Sequence, residues 1–160
     1  MIYTIKGGNH YSGLHMGLVR SNELKFVVQF NKTAKYTSIN EENQFDINKL
    51  YGFSDNNSFH HNNSARFGWR WVNEELQLFA YCYSNGERHY DFITNLDLGK
   101  FYALKIEITD DAYEFSVSNN KLVSIERSSN TSWGIKYKLY PYFGGDETSP
   151  QDIEISIEDT

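Results

Sequence analysis

Arg66 and Arg70 stand four residues apart in the stretch Ser64–Thr94, SARFGWRWVNEELQLFAYCYSNGERHYDFIT, where large apolar residues alternate with polar ones. A guanidinium is a planar fork that grips a carboxylate or a pair of hydroxyls, and a tyrosine offers a ring face with a polar tip. Arginines flanked by tyrosines therefore suit sugar rings, acidic polymers or phosphates. Read with a period of two, Phe67, Trp69 and Trp71 share one strand face, and Arg66, Gly68 and Arg70 the other. In Leu76–Tyr83 the core set is Leu76, Leu78, Ala80 and Cys82, which leaves Gln77, Phe79, Tyr81 and Tyr83 opposite. Pairing the two strands collects Arg66, Arg70, Gln77, Tyr81 and Tyr83 on one surface. His89 and Asp91 join it from the next strand if Tyr90 and Phe92 point inward. The plainer reading of this face is a solvated wall stitched by cation–π pairs. Against it, two exposed aromatic strands with no purpose would invite aggregation.

Other residue types carry weaker signals. His60 and His61 are adjacent, but a metal site needs a third ligand from elsewhere, with Asp55 the nearest carboxylate and His10, His15 and His89 available only after folding. Either could instead act as a general base near neutral pH. Asp46, Asn48 and Asp55 are calcium-type oxygen donors without the spacing of an EF-hand loop, and Asp152 is a second such candidate. Calcium is thus the one cofactor these donors admit, and none is required. Glycoside hydrolysis needs two carboxylates on one face, whereas Glu74-Glu75 and Asp110-Asp111 lie in turns. Neither a G-x-S-x-G elbow nor a phosphate-cradling glycine loop is present. No residue is therefore assigned a catalytic role.

Strands must position these groups. Alternating segments recur at Met1–Ile5, Leu14–Arg20, Glu23–Phe30, Ser64–Trp71, Leu76–Tyr83, Arg88–Thr94, Tyr102–Thr109, Ala112–Ser118, Lys121–Arg127, Tyr137–Gly144 and Asp152–Glu158. Short turns join them: Ser21-Asn22, Val72-Asn73-Glu74-Glu75, Asn85-Gly86, Asp110-Asp111 and Asn119-Asn120. This is the signature of antiparallel hairpins, and many of them in one unit stack as two sheets. The stretch 31–63 is polar and without clear period. It reads as a long irregular loop region beside the arginine strand, with one helical turn within Glu41–Tyr51.

Composition agrees. The 160 residues fit one domain (1–160) that buries its own core, and 12 Tyr, 11 Phe and only 2 Pro favour an all-β chain. A net charge of -6 argues against a nucleic acid polymer as partner, since such binding displaces counterions with surplus Lys and Arg. Cys82 is the only cysteine, which excludes an intramolecular disulfide and reads as a small buried hydrophobe. No apolar run approaches a membrane span, so no membrane partner is expected. The N-terminus shows no signal-peptide pattern, which points to a cytoplasmic location unless the chain is a trimmed mature form. Sequons at Asn31, Asn56, Asn62 and Asn130 then read as by-products of Asn- and Ser-rich composition.

The C-terminal run YKLYPYFGGDETSPQDIEISIE, an aromatic strand, a glycine bend and an alternating final strand, resembles the end of concanavalin A-like jelly rolls. Here Ile153, Ile155 and Ile157 point inward, with Asp152, Glu154, Ser156 and Glu158 outward. The block NSARFGWRW followed by LFAYCY is similar to the middle strands of uncharacterised bacterial members of that group. The resemblance implies an antiparallel two-sheet β-sandwich of the lectin and glucanase type, with a concave sheet as ligand face. It departs from the enzymes: the laminarinase-like E-x-D-x-x-E is absent. Alginate-lyase-like members carry Arg-x-x-x-Arg, Gln-x-His and a C-terminal Tyr. Arg66 and Arg70 match the first, and Tyr140 or Tyr142 could supply the last. Gln77 is followed by Phe79, not His.

The expected function is therefore non-catalytic, lectin-like carbohydrate binding on the concave sheet by Arg66, Arg70, Gln77, Tyr81, Tyr83, His89 and Tyr142. Its ligand is a glycan or another small polar molecule. The alternatives are a polysaccharide lyase on uronate polymers, with His60, His61 or His89 as base and Tyr142 as acid, and an intracellular ligand- or protein-binding module.

Overall fold

A computed structural model describes residues 1–128 and 134–160. The sequon at Asn130 lies outside the described residues. Among the described residues, twelve strands form two six-stranded antiparallel sheets. The first runs β1 (Ile2–Ile5), β12 (Ile153–Asp159), β3 (Glu23–Phe30), β8 (Phe101–Ile108), β9 (Ala112–Val117), β10 (Asn120–Glu126). The second runs β2 (Leu18–Val19), β11 (Lys136–Leu139), β4 (Asn48–Ser54), β5 (Ser64–Val72), β6 (Glu75–Ser84), β7 (Glu87–Leu96). The all-β, two-sheet sandwich expected from the alternating runs is the observed fold.

The core lies between the sheets and is aromatic. Phe26 meets Phe67 at 5.8 Å and Tyr51 at 5.0 Å, Phe30 meets Trp69 at 5.1 Å, and Phe67 meets Phe115 at 5.1 Å between ring centroids. Ile153, Ile155 and Ile157 point into it from β12, and Cys82 is fully buried in it. The hairpin turns take their shape from residues that tolerate positive φ. Asn73 and Glu74 join β5 to β6, Asn85 and Gly86 join β6 to β7, and Ser118 and Asn119 join β9 to β10. Two consecutive left-handed residues match the right-handed twist of paired strands.

Two expectations are corrected. The stretch 31–63 is not one irregular loop: it holds short 3-10 turns at Lys32–Ala34 and Glu41–Phe45 and the whole of β4. A bulge between Lys49 and Tyr51 hides that strand's period, because Leu50 is an extra residue and both Leu50 and Tyr51 turn inward. Where strands were expected at Leu14–Arg20 and Tyr137–Gly144, the strands observed are the shorter Leu18–Val19 and Lys136–Leu139, the second starting one residue earlier. Tyr142 continues the sheet through isolated bridges to Lys49 and Tyr11.

Candidate functional site

The β5–β6 register pairs Arg66 with Tyr81, Gly68 with Phe79, Arg70 with Gln77 and Ser64 with Tyr83. Paired residues share a face, so Arg66, Arg70, Gln77, Tyr81 and Tyr83 all stand on the outer face of the second sheet. Ile47, Phe79 and Tyr81 form a second apolar cluster there, with Tyr83 against it. Tyr142 reaches the same face beyond β4, where its ring stacks on His10 at 5.1 Å and meets Tyr11 edge-on at 5.0 Å.

His89 does not belong to this group. In β7 it pairs with Cys82, a core residue, while Arg88 pairs with Tyr83, Tyr90 with Tyr81 and Phe92 with Phe79. His89 and Asp91 thus take the inner side of the edge strand, and Arg88, Tyr90 and Phe92 the outer. The reason is the second apolar cluster: Tyr90 and Phe92 pack against Phe79 at 6.4 and 5.8 Å instead of the sandwich core.

The two arginines differ. Arg70 is tied down: its Nε donates to Gln77 Oε1 at 2.7 Å and its Nη1 to the Phe45 carbonyl at 2.7 Å. Its guanidinium covers Phe79 at 4.8 Å and Phe45 at 5.6 Å. Gln77 therefore serves Arg70. Arg66 is only 6% exposed, its Nε has no partner, and it forms no ion pair among the described residues. Burial pulls its pKa down to about 10. Gly52, its partner on β4, gives it room: a Cβ there would sit 2.3 Å from Arg66 Cβ and 2.1 Å from the Ala65 carbonyl oxygen.

Arg66 lines a cleft of about 640 Å³, within the range of small-molecule sites. Tyr81, Tyr83, Tyr137 and Tyr142 line it, together with Tyr11–His15 and His60–His61. Sequence reasoning missed Lys49 and Tyr137. Lys49 pairs with Gly68, and its Nζ lies 5.1 Å from the Tyr81 ring centroid and 5.9 Å from that of Tyr142; the space that a Cβ at Gly68 would need is filled by Ile47 Cγ2, at 2.5 Å. Nζ donates to the Gly144 carbonyl at 2.8 Å. Burial, then the charge of Arg66, lower the Lys49 pKa to about 8. A visible β4 would have revealed it.

His60 is also brought into the cleft. Its backbone N–H donates to the Tyr137 hydroxyl at 2.9 Å, and its Nδ1 lies 3.4 Å from the same oxygen. Burial and then Arg66 lower its pKa to about 4, so the ring is neutral near pH 7. His61 stacks beside it at 4.2 Å and meets Tyr83 at 5.4 Å.

The metal candidates do not converge. Asp55 is buried and takes hydrogen bonds from Tyr113 Oη at 2.6 Å, Arg127 Nε at 2.6 Å and Arg127 Nη2 at 3.1 Å. Asn48 bonds Tyr36 and the Gly144 N–H, and Asp152 bonds Lys6 and the Gly7 N–H. Among the described residues no group of three or more His, Cys, Asp or Glu is placed to hold a metal ion.

The fold is a concanavalin A-like jelly-roll sandwich, as its structural neighbours show. No family model matches the sequence, and no curated protein does. Among solved structures, the alginate lyase AlyC3 superposes with a TM-score of 0.65 at 12% identity, over 99% of this chain and 74% of the lyase. The alginate lyase from Klebsiella pneumoniae gives 0.61 at 10% identity, over 86% of this chain and 59% of that one. A Bacteroides ovatus mixed linkage glucan GH16 protein gives 0.58 at 11% identity, over 99% of this chain and 80% of that one. At such identities the likeness carries the fold.

Proposed function

We propose that the protein binds an acidic glycan in the cleft over Arg66. The carrying observation is the state of that arginine: buried, without a counter-ion or a partner for Nε among the described residues, and opening on a tyrosine-lined cleft. A sugar carboxylate would supply the missing acceptor in a charge-assisted pair, while Tyr81, Tyr83 and Tyr142 would cover ring faces. The carbohydrate-active neighbours sharing the fold support a glycan over other anions. Titration calorimetry with oligouronates and with uncharged gluco-oligosaccharides of equal length tests this. Binding of the charged series alone, lost in Arg66→Met, is expected; equal binding of both series, or none, sinks the proposal.

A second reading, a polysaccharide lyase, is favoured by one further observation: neutral His60 and Tyr137 stand in the same cleft as Arg66. With Arg66 against the uronate carboxylate, His60 would remove the proton from the carbon beside it. The electron pair would form a carbon–carbon double bond, and the glycosidic oxygen would leave with a proton from Tyr142. Ultraviolet absorbance of an unsaturated product, present with wild type and absent with His60→Ala, separates lyase from lectin.

A further inference from the structure

Beyond Tyr81 the outer face dips again, into a recess of about 140 Å³ lined by Arg70, Arg88, Lys49, Tyr90 and Asp46 among others. Lys49, Tyr81 and Gly145 line both this recess and the Arg66 cleft, so the two share a wall. Arg88 is exposed on β7, and its guanidinium leans over the Tyr90 ring at 5.5 Å. Arg70 leans over Phe79 at 4.8 Å, and the Phe79 and Tyr90 rings are 6.4 Å apart. The cations therefore gather around the same aromatic floor. Asp46 is the one carboxylate among the residues that line the recess. None of Arg66, Arg70, Arg88 and Lys49 takes part in an ion pair among the described residues, although the chain as a whole carries -6.

Folding collects four cations that form no ion pair among the described residues on one face of an acidic protein, with Asp46 the one carboxylate beside them. Such a row fits a ligand with several negative charges. A single sugar acid would leave one recess unmatched, whereas a chain of them would bridge the shared wall. Linked contacts of this kind multiply, because the second forms at high effective concentration once the first is made.

We propose that Arg70, Arg88 and Lys49 build a second anion-binding recess contiguous with the Arg66 cleft across Tyr81, and that the two together hold one polyanionic glycan chain by at least two of its acid groups. This rests on the acidic-glycan reading of the Arg66 cleft. The partner is a polymer of acidic sugars, not a free sugar acid. Arg88 and Arg70 read its charge, and Tyr90 offers a ring face.

The test is calorimetric titration of wild type, Arg88→Gln and Arg66→Met with oligouronates from dimer to octamer. In wild type, affinity should climb at least tenfold once the oligomer is long enough to reach both recesses. Arg88→Gln, a surface change whose folding is checked by its melting curve, should cost the long oligomers about tenfold more than it costs the dimer. It should also shallow the salt dependence of the long-oligomer affinity. If oligomers bind but affinity ignores length and Arg88, the second recess is wrong and the Arg66 site stands. If no oligouronate binds at any length, both fall. A single-stranded oligonucleotide of equal charge is the control. Binding as tight as the octamer's, with the same Arg88 dependence, would mark a general polyanion surface and overturn the glycan assignment.

Discussion

Replacing Arg66 by methionine should stabilise the fold while abolishing binding. Methionine keeps the unbranched stem and its packing and removes the guanidinium. Burial lowers the Arg66 pKa from 12.5 to about 10, and a displacement of that size corresponds to about 3 kcal/mol of unfavourable charge burial. The opposing loss is the contact with Tyr81, whose ring centroid lies 5.7 Å from Arg66 Cζ; a cation–π pair of this kind contributes roughly 1 kcal/mol. No ion pair is lost with it among the described residues. The net gain is then about 2 kcal/mol, and for a chain of this length each kcal/mol moves Tm by roughly 2–4 °C.

Scanning calorimetry without ligand should therefore show Arg66→Met melting roughly 4–8 °C above wild type. With saturating oligouronate the order should close or reverse, since a ligand at about a hundred times its Kd adds about 2.7 kcal/mol to wild type and nothing to a variant that does not bind it. Affinity should drop by at least about thirtyfold, the lower end of what removing one member of a buried charge pair costs. A ligand-free variant that melts below wild type would refute the reasoning. It would mean that the guanidinium is held by interactions that outweigh its desolvation, and that Arg66 is a structural residue.

Three further outcomes follow from the same geometry. Lys49 loses its charge as pH rises through about 8, so acidic-oligomer affinity should fall between about pH 7 and about pH 9, and Lys49→Met should flatten that profile in calorimetry. The sign for ligand-free stability is opposite: between about 8 and the ordinary lysine value of 10.5 the unfolded chain binds the proton that the folded one has released, so stability should rise with pH in that window. Gly52→Ala drives a Cβ to 2.1 Å from the Ala65 carbonyl oxygen; it should cost about 1–3 kcal/mol in chemical denaturation, and more if β4 and β5 cannot part. Asp55→Asn leaves the Arg127 guanidinium without its buried carboxylate, whose oxygen lies at 2.6 Å; a loss of about 3–5 kcal/mol is expected by denaturation, with oligouronate affinity of the folded fraction unchanged.

What the sequence disclosed depended on how many faces of a strand are apolar. In β5 and β6 the core residues alternate without interruption, so Phe67, Trp69, Leu78 and Cys82 and the opposite set around Arg66 were separable residue by residue. In β7 placing His89 on the ligand face required Tyr90 and Phe92 to point inward, and they point outward. A strand whose outer face also packs apolar rings has no unique phase, and a choice off by one moves every side chain to the other side. His89 was misplaced for that reason. In β4 the bulge at Leu50 erased the period altogether, and with it went Lys49, the cation that joins the two recesses. Lys49 takes its place on the outer face through that register shift, so its side becomes readable only once the bulge is known.

Three arginines in this molecule face the same physical problem and meet it differently. Arg127 is buried and is given a carboxylate, Asp55, at 2.6 and 3.1 Å, with Tyr113 completing the cluster. Arg70 is half-buried and is given Gln77, a backbone carbonyl and two ring faces. Arg66 is buried and, among the described residues, is given the face of Tyr81 and no ion pair. The chain thus neutralises a buried guanidinium elsewhere in the same sandwich, so the lack of a partner at Arg66 is not a general tolerance of buried charge. An uncompensated cation that destabilises the free protein survives where something outside the chain completes it. The cleft above it is open, tyrosine-lined and bordered by Lys49 rather than by acids, which is the setting that the proposed acidic-glycan ligand requires.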